Sequence, residues 1–306
     1  MSKLDLLNRA SDLQSRRLPY VWATVVRAEK PTSAKPGDCA VILADGTIEG
    51  FVGGSCAESS VRNESLKALR AEKATTLLIT PGDGPERYEA RPGEVSVSNP
   101  CLSGGTIEIF LEPSVPQPLM LLLGKAPIAL ALAEIAPLVG FEVRELASGS
   151  EIPSDADAVI IASHGSDEEQ WLEMAIAKGV RYIALVASHK RGAAVLSSLA
   201  IGGDLKKLVR TPAGLDIGAK TPSEVAISII AEVISTRPSS TATKSDEDSP
   251  IEQVPKVAID PVCAMEVAMV EGSLQLEFDG RPYYFCGTGC KKAFAANPQS
   301  YLNREP

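Results

Sequence analysis

The feature that most constrains the fold is a regular alternation of short apolar runs and helical segments over residues 117–236. The runs PLMLLLG, FEVREL, DAVIIAS, YIALVAS and LVRTP are each followed by a turn or a predicted helix. Strands that alternate with helices in this way predict a parallel sheet wound with helices. Thr221, Pro222 and Glu224 predict a capping box for the last of these helices.

The residues before this block follow a different pattern. They contain predicted helices over Lys3 to Gln14 and Ala57 to Glu72, a hairpin turn at Asp45-Gly46, and two glycine-rich segments, GFVGGSCAE and NPCLSGG. This mixture predicts an α/β domain with a mixed sheet. A proline-rich break, EPSVPQP, separates it from the alternating block.

A linker and a short tail follow the alternating block. The segment TRPSSTATKSDEDSP is rich in Ser, Thr, Pro and charge and has no apolar period, which is typical of a flexible linker. We therefore predict an N-terminal mixed α/β domain at 1–116, a Rossmann-like domain with a parallel sheet at 117–236, a linker at 237–257 and a small domain at 258–306. A domain of fewer than about 60 residues buries little surface, so a metal ion is a natural stabiliser.

Composition and charge exclude several classes of protein. The 306 residues are 44% hydrophobic and carry a net charge of −9, which argues against a protein that binds nucleic acid by neutralising phosphates. The first twenty residues carry charges throughout and lack a secretory pattern. The most apolar stretch, Leu119 to Phe141, is interrupted by charge and proline, so we expect no membrane span and a cytoplasmic protein.

The first candidate site is the segment Gly53-Gly54-Ser55-Cys56-Ala57-Glu58. A cysteine in the first turn of a helix lies at the positive end of the helix dipole, which favours the thiolate. The glycines allow an anionic ligand to approach the backbone amides. The segment therefore indicates a site for an anion or a sulfur ligand, and a buried structural cysteine is the alternative.

Three segments resemble the xanthine dehydrogenase accessory protein family (XdhC/CoxI): GFVGGSCAE, NPCLSGGTIEIFLEP and TPAGLDIGAKTPSEVAISIIAEVI. The resemblance covers roughly residues 15 to 236. It implies a protein that binds the molybdenum cofactor, supports its sulfuration with a cysteine desulfurase, and passes it to a molybdenum hydroxylase apoenzyme of the xanthine or carbon monoxide dehydrogenase type. It also implies that Cys56 contacts the cofactor, with Cys101 beside Gly104 and Gly105 as a second candidate.

The turn after the first strand of the alternating block is a weaker candidate. Gly124-Lys125-Ala126 has alanine where a dinucleotide fingerprint, or the usual Gly-Ala-Gly of the family, has a second glycine. Glu145, about 20 residues on, is placed to accept a ribose hydroxyl or is simply a solvated strand end. If a nucleotide binds at this turn, the resemblance implies a dinucleotide form of the molybdenum cofactor, with NAD(P) as the plainer alternative.

Both histidines follow predicted strands of the alternating block. His164 resembles the His of a Thr-His-Asp segment of the family, although Ser163 and Gly165 replace its neighbours. His189 forms a cationic cluster with Lys190 and Arg191 that could hold a phosphate; solvated helix starts are the alternative. Two histidines without a Ser-His-Asp order give little support for hydrolysis.

The tail resembles a YHS domain, a small metal-associated module. The segments DPVCAMEV, YYFCGTGCKKAF and NPQSYL carry the likeness, although Ala264 occupies a position where glycine is usual. Cys286 and Cys290 are four residues apart and Cys263 lies in the preceding turn, so the three thiolates can meet at one Zn(II) or Cu(I) ion. No histidine is present as a fourth ligand, and buried thiols without metal are the alternative.

These patterns favour a cofactor chaperone over a catalyst. The expected site lies between the Cys56 turn and the edge of the Rossmann-like sheet, and it holds the cofactor in its mononucleotide or dinucleotide form. The architecture suggests a homodimer. The rival hypotheses are an NAD(P)-dependent oxidoreductase and a thiol-based metal-handling protein.

Overall fold

The computed structural model describes residues 1–82, 87–99, 105–147, 149–163, 165, 167–237 and 255–302, and for residues 55, 56, 87–90 and 99 the backbone alone. The chain forms two compact units. The mixed-sheet unit comprises the described residues within Met1–Pro116 and Thr243–Pro306, and the parallel-sheet unit those within Gln117–Ala242. We refer to residues 255–302 as the C-terminal module.

A mixed β-sheet forms the body of the mixed-sheet unit. Its strands lie in the order β3-β2-β1-β7-β4-β6-β5, with β4 and β6 parallel and the other neighbours antiparallel. The elements are α1 (Lys3–Ser15), β1 (Tyr20–Glu29), β2 (Cys39–Leu43), β3 (Ile48–Gly50), α2 (Ser55–Ala71), β4 (Thr75–Pro81), β5 (Arg87–Arg91), β6 (Glu94–Asn99) and β7 (Thr106–Ser114).

The C-terminal module consists of two short hairpin-like sheets and two helices. Its elements are β13 (Val257–Ile259), β14 (Glu266–Ala268), β15 (Leu274–Phe278), β16 (Arg281–Phe285), α8 (Thr288–Ala296) and α9 (Gln299–Leu302). Strand β13 pairs with β14, and β15 with β16, both antiparallel. Phe294 of α8 is fully buried and contacts the rings of Phe278, Tyr283, Phe285 and Tyr301. The tail aromatics therefore form an apolar core.

The C-terminal module shares a core with the sheet that precedes it in sequence. Met265, Val267 and Cys286 belong to the same apolar cluster as Val61 of α2 and Leu77 of β4. Helix α2 is consequently buried along most of its length, including several serines and Asn63. Burial of this helix against both the sheet and the module joins them into one unit.

The parallel-sheet unit confirms the predicted Rossmann-like domain. Its strands lie in the order β12-β11-β10-β8-β9, and each described neighbouring pair is parallel. The elements are β8 (Leu119–Leu123), α3 (Pro127–Ile135), a 3-10 helix (Ala136–Val139), β9 (Glu142–Leu146), β10 (Ala156–Ile161), α4 (Glu168–Ala177), β11 (Tyr182–Leu185), α5 (His189–Ser198), α6 (Gly203–Lys206), β12 (Val209–Arg210) and α7 (Pro222–Ser235).

Helices cover both faces of this sheet. Trp171 of α4 and Val195 of α5 pack on one face, whereas Leu132 of α3 and Ile229 of α7 pack on the other. Every residue of β8 is buried, which explains its uninterrupted apolar sequence. Among the described residues, no helix is both long and apolar enough to cross a bilayer.

The segment with the most specific sequence signature, residues 211–236, is held by hydrogen bonds. Thr221 and Glu224 form the predicted capping box of α7, which confirms that expectation. The Glu232 carboxylate accepts hydrogen bonds from the Tyr182 hydroxyl at 2.6 Å and from the Gly214 amide at 2.9 Å. Burial and the neighbouring Glu232 charge raise the pKa of Tyr182, so its hydroxyl remains a donor. Glu232 thus anchors the loop before α7 to the sheet.

We expect Glu232→Ala to destabilise the parallel-sheet unit. The substitution removes the acceptor of both the Tyr182 hydroxyl and the Gly214 amide, and two such losses cost about 2–4 kcal/mol. Denaturant unfolding measures the change in the free energy of unfolding. Glu134→Ala, at a solvent-accessible position of α3, is the control. Equal stability of the two variants would contradict this anchoring role.

Candidate functional site

Four side chains of the C-terminal module converge to form a thiol centre. The sulfur atoms of Cys263, Cys286 and Cys290 and a carboxylate oxygen of Asp260 all lie within 4.8 Å of one another. The sulfur of Cys286 is 3.4 Å from that of Cys263 and 3.7 Å from that of Cys290. The structure therefore brings together the three cysteines that the sequence predicted as ligands.

Local backbone geometry places these thiols. Cys263 lies in the turn between β13 and β14, Cys286 directly follows β16, and Cys290 lies in the first turn of α8. Ala264 has a φ of +60°, the left-handed region that favours glycine. This conformation explains why glycine is the usual residue in that position, and it costs an alanine about 1 kcal/mol.

Asp260 fixes the two turns that carry Cys263 and Cys286. It is buried, and its carboxylate oxygens accept hydrogen bonds from the amides of Val262 and Cys286, both at 2.8 Å. Each oxygen retains a lone pair for an ion. The sequence patterns predicted no role for Asp260, because only thiols and histidines were expected as ligands. The available signal was an acidic residue three positions before Cys263, in the segment DPVC.

The donor set fits a soft ion. With metal–sulfur bonds of about 2.3 Å, tetrahedral zinc places its sulfur ligands about 3.8 Å apart. The distances of 3.4 and 3.7 Å require only a small adjustment to reach that spacing. Thiolates favour Zn(II) and Cu(I) over hard cations. The thiol centre therefore suits the class of ion that the sequence predicted.

The three thiols differ in acidity. Hydrogen bonds from the thiols of Cys286 and Cys290 lower the pKa of Cys263 to about 3. Donation to the Cys263 thiolate raises the pKa of Cys286 and of Cys290. Burial raises the pKa of Asp260. Near neutral pH the centre thus holds one thiolate stabilised by two thiol donors.

We expect Zn(II) binding to release about two protons per ion near pH 7, because Cys286 and Cys290 must ionise while Cys263 is already a thiolate. An indicator dye in weak buffer measures the release. Zinc affinity should fall as the pH is lowered, since protons compete for the same two sulfurs.

We expect Cys286→Ser to weaken zinc binding, because it removes a sulfur ligand. The loss should exceed the roughly 10–100-fold that follows removal of a group that only hydrogen-bonds to a ligand. Cys39→Ser is the matched control, because Cys39 is a buried cysteine in a separate cluster beneath α1. Unchanged zinc binding and proton release by Cys286→Ser would show that another ligand set binds the ion.

The Gly53-Gly54 turn leads directly into α2. Gly54 is the N-cap residue, and Cys56 is the second residue of the helix. Gly53 has a φ of +143°, and a Cβ placed there would lie 2.9 Å from the Cβ of Ala57. The amide of Glu58 donates to the Gly54 carbonyl at 3.1 Å. The predicted position of Cys56 at a helix start agrees with the backbone; a role for its thiol stays a prediction.

Two serines follow Cys56 on the same face of α2. Cys56, Ser59, Ser60 and Asn63 have the spacing i, i+3, i+4, i+7, which places them on one side of a helix. The hydroxyl groups of Ser59 and Ser60 are buried and have no hydrogen-bond partner among the described residues. Buried polar atoms usually have a partner in protein or water. No sequence pattern predicts these two buried hydroxyls.

The second glycine pair is described only in part. Cys101 and Gly104 lie outside the described residues. A Cβ at Gly105 would lie 2.2 Å from the Pro31 carbonyl oxygen. Close packing of two backbone segments therefore explains this glycine.

The structure brings Gly124, Lys125 and Glu145 together at the carboxyl ends of β8 and β9. They line a cavity of about 270 Å³, whose other lining residues are Leu123, Leu146, Ser163, Asp167 and Trp171. Ligands of open α/β sheets bind at this edge. Gly124 also has a packing role, because its φ is +97° and a Cβ would lie 2.3 Å from the Ala162 carbonyl oxygen.

The predicted cationic cluster is divided between two environments. His189 and Lys190 are exposed at the start of α5, whereas Arg191 donates to both carboxylate oxygens of buried Glu168, at 2.7 and 2.6 Å. Glu168 also accepts hydrogen bonds from the amide of Gly165 and the hydroxyl of Ser163. His164 lies outside the described residues. The pair of buried Glu168 and half-buried Arg191 has no sequence signal, because its partners are 23 residues apart.

We expect Gly124→Ala to destabilise the parallel-sheet unit by about 3 kcal/mol, since the added methyl group overlaps the neighbouring backbone. Gly179→Ala is the matched control: Gly179 also has a positive φ, +67°, but a Cβ there meets nothing within 4 Å. The control should cost only about 1 kcal/mol. Thermal unfolding compares the two, and similar melting temperatures would contradict a packing role for Gly124.

The fold and the thiol centre define a class: a protein that combines a mixed-sheet α/β unit, a Rossmann-like unit and a cysteine-rich C-terminal module. Residues 13–80 match the XdhC and CoxI family, residues 120–233 match the XdhC Rossmann domain, and residues 258–305 match the YHS domain. The chain belongs to the XdhC and CoxI family and carries a YHS domain.

Two curated proteins are similar to this chain. "Uncharacterized protein YqeB" of Escherichia coli (strain K12) is 26% identical over 260 residues, which cover 76% of this chain and 46% of that protein. A protein of Bacillus subtilis (strain 168), described as a probable subunit of xanthine dehydrogenase, is 27% identical over 159 residues, covering 43% of this chain and 47% of that protein. The chain thus spans about half the length of the curated relatives that it matches.

A solved structure, described as a xanthine dehydrogenase from Bacillus halodurans, is 18% identical in sequence. The match has a TM-score of 0.38 and covers 83% of this chain and 100% of the solved chain.

Proposed function

We propose that this protein is an accessory factor for molybdenum hydroxylases of the xanthine or carbon monoxide dehydrogenase type. It binds the molybdenum cofactor, supports its sulfuration and delivers it to the hydroxylase apoenzyme. Membership of the XdhC and CoxI family supports this role, as does a relative described as a probable subunit of xanthine dehydrogenase. The observation that carries the proposal is the glycine turn that places Cys56 in the first turn of α2.

The residues of this turn suit the proposed ligand. When bound, the molybdenum cofactor supplies a soft metal, a dithiolene and a phosphate. The backbone amides at the start of α2 favour an anionic group. The same helix end favours the thiolate form of Cys56, which is a ligand for soft metals.

The chain acts in this proposal as a chaperone and not as a catalyst. Its residues hold the cofactor and limit the access of water, while the chemistry of substrate oxidation belongs to the hydroxylase. A cysteine desulfurase would supply the sulfur, and the hydroxylase apoenzyme would receive the loaded cofactor. We place the protein in the cytoplasm, together with these partners. We also propose that it forms a homodimer.

The C-terminal module adds a metal site to this function. Three thiols and a carboxylate within 4.8 Å suit Zn(II) or Cu(I). The match of residues 258–305 to the YHS domain supports metal binding at the thiol centre. The alternative to the cofactor-binding role is a protein whose chief function is to handle metal through these thiols.

A nucleotide is a second candidate ligand, in the cavity of the parallel-sheet unit. Gly124, Lys125 and Glu145 line that cavity together, and a carboxylate there can bind a ribose hydroxyl. At 270 Å³ the cavity is small beside the roughly 300–1,000 Å³ of most ligand pockets. The cavity therefore has room for only a portion of a dinucleotide, which would be either NAD(P) or the dinucleotide form of the cofactor. Saturable NAD(P) binding that Glu145→Ala abolishes would favour an oxidoreductase.

The test of the main proposal is cofactor binding. We expect the purified protein to retain molybdenum cofactor close to one per chain after excess is removed, and Cys56→Ala to lose most of it. Fluorescence of the oxidised pterin measures the bound amount.

Cys39→Ala is the matched control for this experiment. Cys39 is buried, and its thiol donates to the Gly37 carbonyl, so its loss should lower stability without affecting the cofactor. Equal binding by Cys56→Ala and wild type would exclude Cys56 as a ligand. Absence of binding by the wild type would reject the proposed function.

A further inference from the structure

The thiol centre and the Gly53-Gly54 turn are connected through a polar contact on α2. The side-chain amide of Asn63 donates to the backbone carbonyl of Glu266, and its oxygen accepts from the amide of Ala268 at 3.0 Å. One buried side chain thus pairs with two backbone groups of β14. The neighbouring Lys67 adds an ion pair with the Glu266 carboxylate at 2.7 Å. We call the Asn63 contact with β14 the amide latch.

The amide latch lies a short stretch of chain away from the thiol centre. Cys263 precedes β14 by only three residues, and the carbonyl of Met265 accepts a hydrogen bond from the Asp260 amide at 2.8 Å. A change in the position of the Cys263 sulfur therefore reaches β14 along the backbone. Because Asn63 pairs with β14, the change then reaches α2.

Helix α2 carries the connection to the glycine turn. Asn63 follows Cys56 by seven residues, which is about two helical turns or 10 Å. Gly53 packs against Ala57, with a hypothetical Cβ only 2.9 Å from it. The turn must therefore follow any movement of the first residues of α2.

A shared apolar core provides a parallel route. Cys286 and Met265 pack in the same cluster as Ala57 and Val61, and all four are almost fully buried. Protein interiors are close-packed, so a displacement at one side of such a cluster is felt at the other. Cys286 of the thiol centre and Ala57, the residue that follows Cys56, thus belong to one apolar core.

From this arrangement we propose that a metal ion bound at the thiol centre orders the Gly53-Gly54 turn through the amide latch and α2. The C-terminal module then regulates the site at which the cofactor is held. The part that concerns cofactor binding rests on the proposed function. Coupling between the two places rests on the structure alone.

The experiment is hydrogen–deuterium exchange with and without Zn(II). Full-length protein is treated with EDTA and compared with the same protein after removal of the chelator and addition of one equivalent of zinc. We expect zinc to slow exchange of the amides of residues 260–268 and also of residues 54–61. The slowing at 54–61 should be about tenfold, within the usual range of coupling between sites.

Two substitutions on α2 separate the latch from nonspecific stabilisation. Asn63→Ala should still bind zinc but lose the slowing at residues 54–61. Lys67→Ala is the matched control, because it removes the ion pairs that Lys67 forms with Glu266 and Glu64 and leaves the amide latch intact. Where circular dichroism shows that Asn63→Ala is unfolded, Asn63→Ser takes its place.

Several outcomes would overturn the proposal. Wild-type protein that binds no zinc, or in which zinc slows exchange only within residues 255–302, excludes coupling to the turn. Persistence of the slowing in the folded Asn63 variant excludes the latch as its route. The wild-type comparison decides the first point without any variant.

Pterin binding distinguishes this proposal from the function on which its last part rests. The exchange experiment contains no cofactor, so zinc-dependent slowing without pterin binding would support the coupling and reject the proposed function. Tighter pterin binding by the zinc-loaded protein than by the EDTA-treated protein supports the regulatory role. Equal binding by both forms rejects that role and leaves cofactor binding itself established.

Discussion

Burial of α2 between the mixed sheet and the C-terminal module is the constraint on which the mixed-sheet unit depends. A surface helix normally exposes a polar face, but α2 buries Ser59, Asn63 and Glu64 as well as its apolar residues. Burial of polar groups is costly unless they are paired. Asn63 meets this requirement by pairing with the β14 backbone, and Glu64 by an ion pair with Lys67. The module is therefore part of the fold, and its attachment is polar as well as apolar.

This arrangement gives the thiol centre two roles. Its sulfurs and the Asp260 carboxylate form a donor set for a soft ion, and Cys286 is also a core residue of the sheet cluster. Asp260 contributes to both, since it holds the backbone of Cys286 while its oxygens lie near the thiols. A metal at this place would stabilise a larger region than the short tail, because the surrounding core extends to the first turn of α2.

The glycines near the candidate sites are needed for different physical reasons. Gly105 and Gly124 are required by packing, because a methyl group at either would overlap a backbone carbonyl. Gly54 has open space where its Cβ would be, so packing does not explain it. This difference separates Gly54, before Cys56, from Gly105 and Gly124. An accessible N-cap glycine lets a ligand approach the helix amides, which is the property that the proposed function needs.

Much of the architecture could be predicted from the sequence. Alternating apolar runs predicted the parallel sheet, the Thr221 capping box predicted the start of α7, and the spacing of Cys263, Cys286 and Cys290 predicted their convergence. These features are local, or depend on short spacings that side-chain chemistry restricts. Asp260 was accessible to the same reasoning from its position before Cys263, but a buried carboxylate beside thiols has no characteristic spacing.

Only the tertiary structure decided how the distant pieces fit together. Asn63 and Glu266 are separated by 203 residues and their pairing leaves no periodic pattern, because an asparagine side chain can pair with any open strand edge. Two other pairings likewise leave no periodic pattern in the sequence. Glu232 accepts a hydrogen bond from a tyrosine 50 residues away, and Arg191 pairs with Glu168. The sequence by itself determined the elements and the chemistry of the thiols, since these follow from local periodicity and residue type. Tertiary packing decided which helix the C-terminal module covers, because that choice depends on matching surfaces that only the folded chain creates.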